Sequence, residues 1–254
     1  MAPRDHIGSS RPAGHGLWRG QAGYGQNADV DTGHGCDVWW ARPSQAAERD
    51  VRLLSDAERW RLGQLHRAED RDRFLSAAVL LRRVVAAAGG VPPERVVVDR
   101  TCPSCTRPHG RPVLPDTGLY ASVSHSGERI AVALTRLAPV GVDVEQVSAR
   151  IDPHQLAGQV LGHGEQATDT ETFLRYWTRK EAVVKATGDG LRADLRAVLV
   201  GRHDRPQLLD YPGRPGLQAA LSDLDPGDGY LGALCVLSPD PVPVAQRWYA
   251  ETIR

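Results

Sequence analysis

A mixed α/β (α+β) fold arranged in two halves is predicted by three features of the chain. Apolar residues recur at helical spacing from Asp70 to Ala88, a second amphipathic stretch runs from Glu171 to Thr187, and short β-prone runs bounded by Gly and Pro lie between and after them. With 254 residues, the chain can bury the core of one large domain or of two small ones. The halves are expected to join near Leu137-Ala138-Pro139, which sets boundaries at 1–35 for an N-terminal extension, 36–138 for the first half and 139–254 for the second.

Each element has its local reason. Residues 1–35 are rich in glycine and poor in aliphatics, so they bury too little apolar surface to offset the entropy of ordering, and a disordered extension is expected. Asp37-Val38-Trp39-Trp40 is the first β-prone run. Ser55 followed three residues later by Glu58 forms a capping box, from which a helix runs through Trp60 and Leu62. Phe74, Leu75, Ala78, Val79, Leu81, Val84 and Val85 mark a buried helical stripe that Gly89-Gly90 stops, with an arginine-rich outer face. Val96-Val97-Val98 precedes a Cys/Pro/Gly loop, and strands are expected at 119–124, 130–135 and 140–147. A helix from about Glu171 to Thr187 closes at Gly188-Asp189-Gly190, and strands near 197–200 and 230–237 follow among turns.

Charge and composition narrow the function classes. Acidic and basic residues number 31 each, so nothing global draws the chain to nucleic acid or an anionic membrane, and any electrostatic function is local. No run approaches the roughly 20 apolar residues of a membrane span, and the N-terminus lacks a secretory pattern. The four cysteines are scattered apart from Cys102 and Cys105, which does not make a disulfide framework. A soluble protein of a reducing cytoplasm is expected.

Two segments carry chemistry. In Gly141-Val142-Asp143-Val144-Glu145 a period of two places both carboxylates on one face of a strand; alone, this is also the pattern of a solvated edge strand. In Trp177-Thr178-Arg179-Lys180-Glu181-Ala182-Val183-Val184-Lys185, the residues Trp177, Glu181 and Lys185 share one helical stripe. An ordinary surface Glu–Lys pair, worth about 0.3–0.5 kcal/mol, is the bland alternative. Lysine, however, occurs only at Lys180 and Lys185, which implies a position that disfavours guanidinium. Three carboxylates suit a hard cation and the ammonium groups suit phosphate oxygens, the parts for phosphoryl chemistry on a pyrophosphate. No Gly-x-x-x-x-Gly-Lys-Ser/Thr loop is present, which excludes a P-loop nucleotide hydrolase.

These two segments, in this order, resemble the paired signatures of the Sfp-type 4′-phosphopantetheinyl transferase superfamily, a Gly-x-Asp-x-Glu strand and a Trp-x-x-Lys-Glu-Ala/Ser-x-x-Lys helix. Ser122-Val123-Ser124-His125-Ser126-Gly127 looks like the family's phosphate-contacting Ser-His-Ser/Thr turn, and His109-Gly110-Arg111-Pro112 like its Gly-Lys-Pro turn with arginine for lysine. The resemblance covers roughly Leu53 to Val200. It implies two similar halves related by a pseudo-twofold axis, each a small sheet with packed helices, and an active site in the cleft between them. It further implies Mg²⁺ held by Asp143, Glu145 and Glu181, and coenzyme A as substrate, contacted by Ser124, His125, Lys185, Arg111 and Arg61. Asp143, Glu181 and Lys185 would serve catalysis, with Glu181 open to the role of general base or of metal ligand. The implied reaction moves 4′-phosphopantetheine onto a serine of an acyl or peptidyl carrier protein and releases 3′,5′-ADP. Two halves within one chain supply both walls of the cleft, so a monomer is expected.

Cys102, Cys105 and His109 have part of the spacing of a zinc knuckle. A structural zinc site takes four ligands and no fourth is adjacent, so the pair reads first as thiols in a turn, with zinc as the alternative. Two rival functions follow from the same residues: a zinc-knuckle module contacting nucleic acid through arginine-rich helices, and a metal-dependent phosphoesterase using the carboxylates with water as nucleophile.

Overall fold

The computed structural model describes residues 33–43, 46–102, 105, 107–148, 152–190 and 193–249; of the expected N-terminal extension, residues 1–32 lie outside them. The fold is mixed α+β. Strands β1 (Cys36–Ala41), β2 (Asp99–Thr101), β3 (Pro108–Val113), β4 (Tyr120–Ser126) and β5 (Arg129–Thr135) join β11 (Val244–Trp248) in a six-stranded sheet ordered β11-β1-β5-β4-β3-β2. Strands β6 (Val140–Gln146), β10 (Tyr230–Val236) and β9 (Ala220–Leu224) form a second sheet, ordered β6-β10-β9, and β7 (Leu199–Val200) pairs with β8 (Leu208–Asp210) in a third. Among the described residues no helix is long and apolar enough to cross a membrane.

Local chemistry sets the helix ends. In α1 (Asp56–Gly63) the Ser55 hydroxyl accepts from the Glu58 amide at 3.3 Å while the Glu58 carboxylate accepts from the Ser55 amide at 2.9 Å, the capping box expected from the sequence. Helix α2 (Ala68–Gly89) ends at Gly90 and α4 (Thr170–Thr187) at Gly188, both with left-handed backbone, φ 63° and 77°, where glycine carries no Cβ penalty. Helix α2 packs on β5, β4 and β1, and α4 packs on β6 and β10. The short helix α3 (Pro153–Val160) lies against α4.

The arginine-rich outer face expected for α2 holds only in part. Arg82 is buried, with its guanidinium 2.5 Å from the buried Glu58 carboxylate, so it ties α2 to α1. Lys180 is likewise buried. Its ammonium lies 2.5 Å from Glu165 and donates to the carbonyls of Val160 and Leu195 at 2.8 and 2.9 Å, so it anchors the segments flanking α4 and presents no charge to a ligand.

One contact brings β6 onto α4. A Cβ placed on Gly141 would sit 1.9 Å from the Ala182 carbonyl oxygen and 2.6 Å from the Ala186 amide nitrogen, well inside van der Waals contact. The glycine is required by space, since its φ lies outside the left-handed region. Gly141→Ala should therefore push strand and helix apart. The expected cost is about 3 kcal/mol, the upper end of what overpacking costs, and a denaturant midpoint unchanged from the parent protein would contradict the contact.

Candidate active site

Strand β6 lies at the edge of its sheet, and the period of two divides its side chains. Val142 and Val144 enter a core with Trp40, Ala131 and Ala133, while Asp143 and Glu145 face the other way, into a cavity of ≈ 560 Å³. The open edge is met by serines. Ser122, Ser124 and Ser126 of β4 accept hydrogen bonds from the amides of Val142, Val144 and Gln146 at 3.0, 3.4 and 3.1 Å. Two of the same hydroxyls donate onward, Ser124 to Asp143 Oδ1 at 2.9 Å and Ser126 to Glu145 Oε2 at 2.8 Å.

Helix α4 supplies the remaining groups. Its stripe of Trp177, Glu181 and Lys185 faces the same cavity, as its spacing predicts. The Lys185 ammonium donates to Asp143 Oδ1 at 2.6 Å, the Val142 carbonyl at 3.0 Å and the Ser124 hydroxyl at 3.0 Å. Three acceptors thus converge on one nitrogen that has three protons to give.

The carboxylates are short of positive charge. Burial, and then the neighbouring Asp143, pushes Glu145 up to about 7 against the opposing pull of Ser126 and Lys185. Burial and Asp143 raise Glu181 as well, with Lys185 opposing. Asp143 Oδ2 is buried without a hydrogen-bond partner, although such an atom is costly to leave bare. An all-oxygen donor set with an orphaned oxygen and two proton-seeking carboxylates fits a hard divalent cation.

Most of the residues singled out in the sequence come together. Ser124, His125, Asp143, Glu145, Glu181, Lys185 and Arg61 all line this cavity, and the Arg61 guanidinium stands 5.9 Å over the ring of Phe74, which lines it too. Arg111 does not. Its guanidinium donates to the Ala186 carbonyl at 3.1 Å, a cation at the C-terminal end of α4 where the helix dipole favours one. Ser124 and His125 lie within strand β4 rather than in a turn; the turn follows at Gly127, φ 51°. The surrounding protein, then Lys185 and Arg73, hold the His125 imidazole below its ordinary value, so it is neutral near pH 7. Arg100 on β2 lines the cavity without any signal in the sequence, because the strand is three residues long and belongs to no recognisable motif.

The part of the chain that holds β6, α4 and β10, residues 139–235, matches the model of the 4′-phosphopantetheinyl transferase superfamily. The chain is 31% identical over 168 residues to the 4′-phosphopantetheinyl transferase HetI of Nostoc sp., covering 60% of this chain and 68% of that one. It is 27% identical over 216 residues to a 4′-phosphopantetheinyl transferase of Bacillus subtilis, covering 80% and 92%. To the transferase Sfp of Bacillus subtilis strain 168 it is 24% identical over 230 residues, covering 85% and 98%. The chain belongs to the 4′-phosphopantetheinyl transferase superfamily. It is an enzyme of that transferase class.

Glu145 gives the site a pH signature. The folded protein keeps this proton up to about pH 7, whereas the ordinary glutamate value is 4.5; between these the folded state binds more protons than the unfolded one, and stability falls as pH rises. In divalent-free buffer, Glu145→Gln should remove that part of the slope. Melting temperatures of both proteins across the window measure it, and parallel curves would contradict the assignment.

Proposed function

We propose that this enzyme transfers 4′-phosphopantetheine from coenzyme A to a serine of an acyl or peptidyl carrier protein and releases 3′,5′-ADP. The observation that carries the reading is the meeting of the Asp143–Glu145 strand and the Glu181–Lys185 helix in one cavity, with Asp143 Oδ2 lacking a donor. Asp143, Glu145 and Glu181 would hold Mg²⁺, which when bound supplies positive charge against the pyrophosphate and the leaving group. In this reading the two halves, 36–138 and 139–254, provide the two walls of the cavity within a monomer.

The chain's own residues orient the reactants. Lys185 is held by Asp143, Val142 and Ser124, and it contacts a phosphate oxygen by exchanging one of these bonds. His125 would offer a ring N–H to a phosphate oxygen. Arg61, whose guanidinium lies 5.9 Å over the Phe74 ring, would take the 3′-phosphate or adenine side of coenzyme A. Glu181 has a raised affinity for protons and so can accept the proton of the attacking serine; sharing in the hold on the cation is the second role open to it.

Incubation with coenzyme A and an apo-carrier protein tests the reaction. A phosphopantetheine mass gain on the carrier is expected, whereas cleavage of coenzyme A without a gain would favour a phosphoesterase. Asp143→Ala should abolish transfer and weaken magnesium-dependent coenzyme A binding in calorimetry; undiminished magnesium dependence in the folded variant would remove the metal assignment. Lys185→Arg separates charge from shape. A planar guanidinium cannot place three protons of one nitrogen on three converging acceptors, and misplacement by 1 Å can cost about 100-fold in rate. A loss of about that size is expected with an unchanged circular dichroism spectrum, and parental turnover would show that only charge matters at this position.

A further inference from the structure

The hairpin formed by β2 and β3 carries a second constellation, separate from the carboxylates. The sulfurs of Cys102 and Cys105 and a ring nitrogen of His109 all lie within 4.8 Å of one another, and Cys105 Sγ is 2.8 Å from His109 Nε2. The Arg107 carbonyl closes the loop by accepting from the amides of Cys102 and His109, both at 2.9 Å. Below it, a Cβ on Gly110 would sit 2.9 Å from the Thr101 carbonyl oxygen, so glycine there lets β3 come close to β2 and brings the two ends of the loop together. Cys102 is half-buried, and Cys105 and His109 are exposed, so the group can be loaded from solvent.

We infer that Cys102, Cys105 and His109 bind one zinc ion. Two thiolates and an imidazole are the soft and borderline ligands that select zinc over magnesium or calcium. With Zn–S near 2.3 Å and Zn–N near 2.0–2.1 Å, the edges of a tetrahedron are about 3.4–3.8 Å. Zinc then replaces the Cys105–His109 hydrogen bond by opening that pair by less than about 1 Å. Among the described residues no other Cys, His, Asp or Glu joins the group, so the fourth position is open to water. The sequence alone favours thiols in a turn because it shows no fourth ligand; the convergence of three donors on one point is what the fold adds. Asp99, Arg100, Thr101, Pro108 and His109 line the cavity described above, so zinc here would tie together the hairpin that forms one of its walls.

The test uses the full chain and Co²⁺ or Zn²⁺ alone as probe. Reduced, metal-free protein titrated with Co²⁺ should develop thiolate-to-cobalt charge-transfer absorption and the strong visible bands of tetrahedral coordination, at one ion per chain, and Zn²⁺ should displace them. An oxygen-only site at Asp143, Glu145 and Glu181 cannot give the charge-transfer band. Cys105→Ser and His109→Ala should weaken Co²⁺ binding by more than the roughly 10–100-fold that losing an outer-sphere partner costs. Absence of the band in the parent protein would overturn the inference, as would its full retention in both variants. Because the readout is the metal's own spectrum, failure here is distinguishable from failure of the transferase reading.

Discussion

Three serine hydroxyls carry the joint on which the site depends. The edge of β6 away from β10 offers a row of amides, and a bare row is costly when buried and adhesive when exposed. Ser122, Ser124 and Ser126 satisfy it from the side-chain face of β4. A hydroxyl can accept and donate at once. Ser124 and Ser126 therefore hold the strand with their lone pairs and aim Asp143 and Glu145 with their protons. A backbone ladder between the two strands would fix β6 equally well but would leave both carboxylates without these orienting donors.

The two lysines show how similar residues are put to opposite uses five positions apart. Lys180 is completely enclosed and its bonds go to Glu165 and to two carbonyls of flanking segments; a buried pair of this kind holds geometry more than it adds net stability. Lys185 keeps about 29% of its side chain exposed and reaches Asp143 from the cavity side. Five residues on a helix turn the side chain by about 140°, enough to send one ammonium behind α4 and the other in front of it. The carboxylates remain uncompensated all the same, as the raised proton affinities of Glu145 and Glu181 record.

Much of this was legible in the sequence where local chemistry decides. The capping box at Ser55, the glycine stops after α2 and α4, and the i, i+4, i+8 stripe of Trp177, Glu181 and Lys185 are rules of neighbouring residues, and each appears as read. What was not legible depends on distant partners. The short strand β2 relies on pairing with β3, and β11 on pairing with a strand more than 200 residues earlier. Arg82 looks like a surface arginine until Glu58 is seen beside it, and the hydrogen bond of Arg111 to the end of α4 is visible only in the fold. The Ser-His pattern also gives no hint that the Ser124 hydroxyl joins Val144, Asp143 and Lys185. The glycine that opens the Gly-x-Asp-x-Glu segment gains a reason that no pattern states, the absence of room beside Ala182.

The parallel pairing of β11 with β1 has a bearing on synthesis at the ribosome. β1 lies between β5 and β11, with Trp39 and Trp40 both buried, yet the strand that covers its outer flank is translated last among the described elements. Until Val244–Trp248 leaves the exit tunnel, a nascent chain with β1 and β5 already paired presents an open, tryptophan-bearing edge of the kind that invites intermolecular pairing. The first sheet is thus completed only after every other described strand has been made, and the nascent polypeptide passes through an interval in which a chaperone able to shield that edge has something to bind.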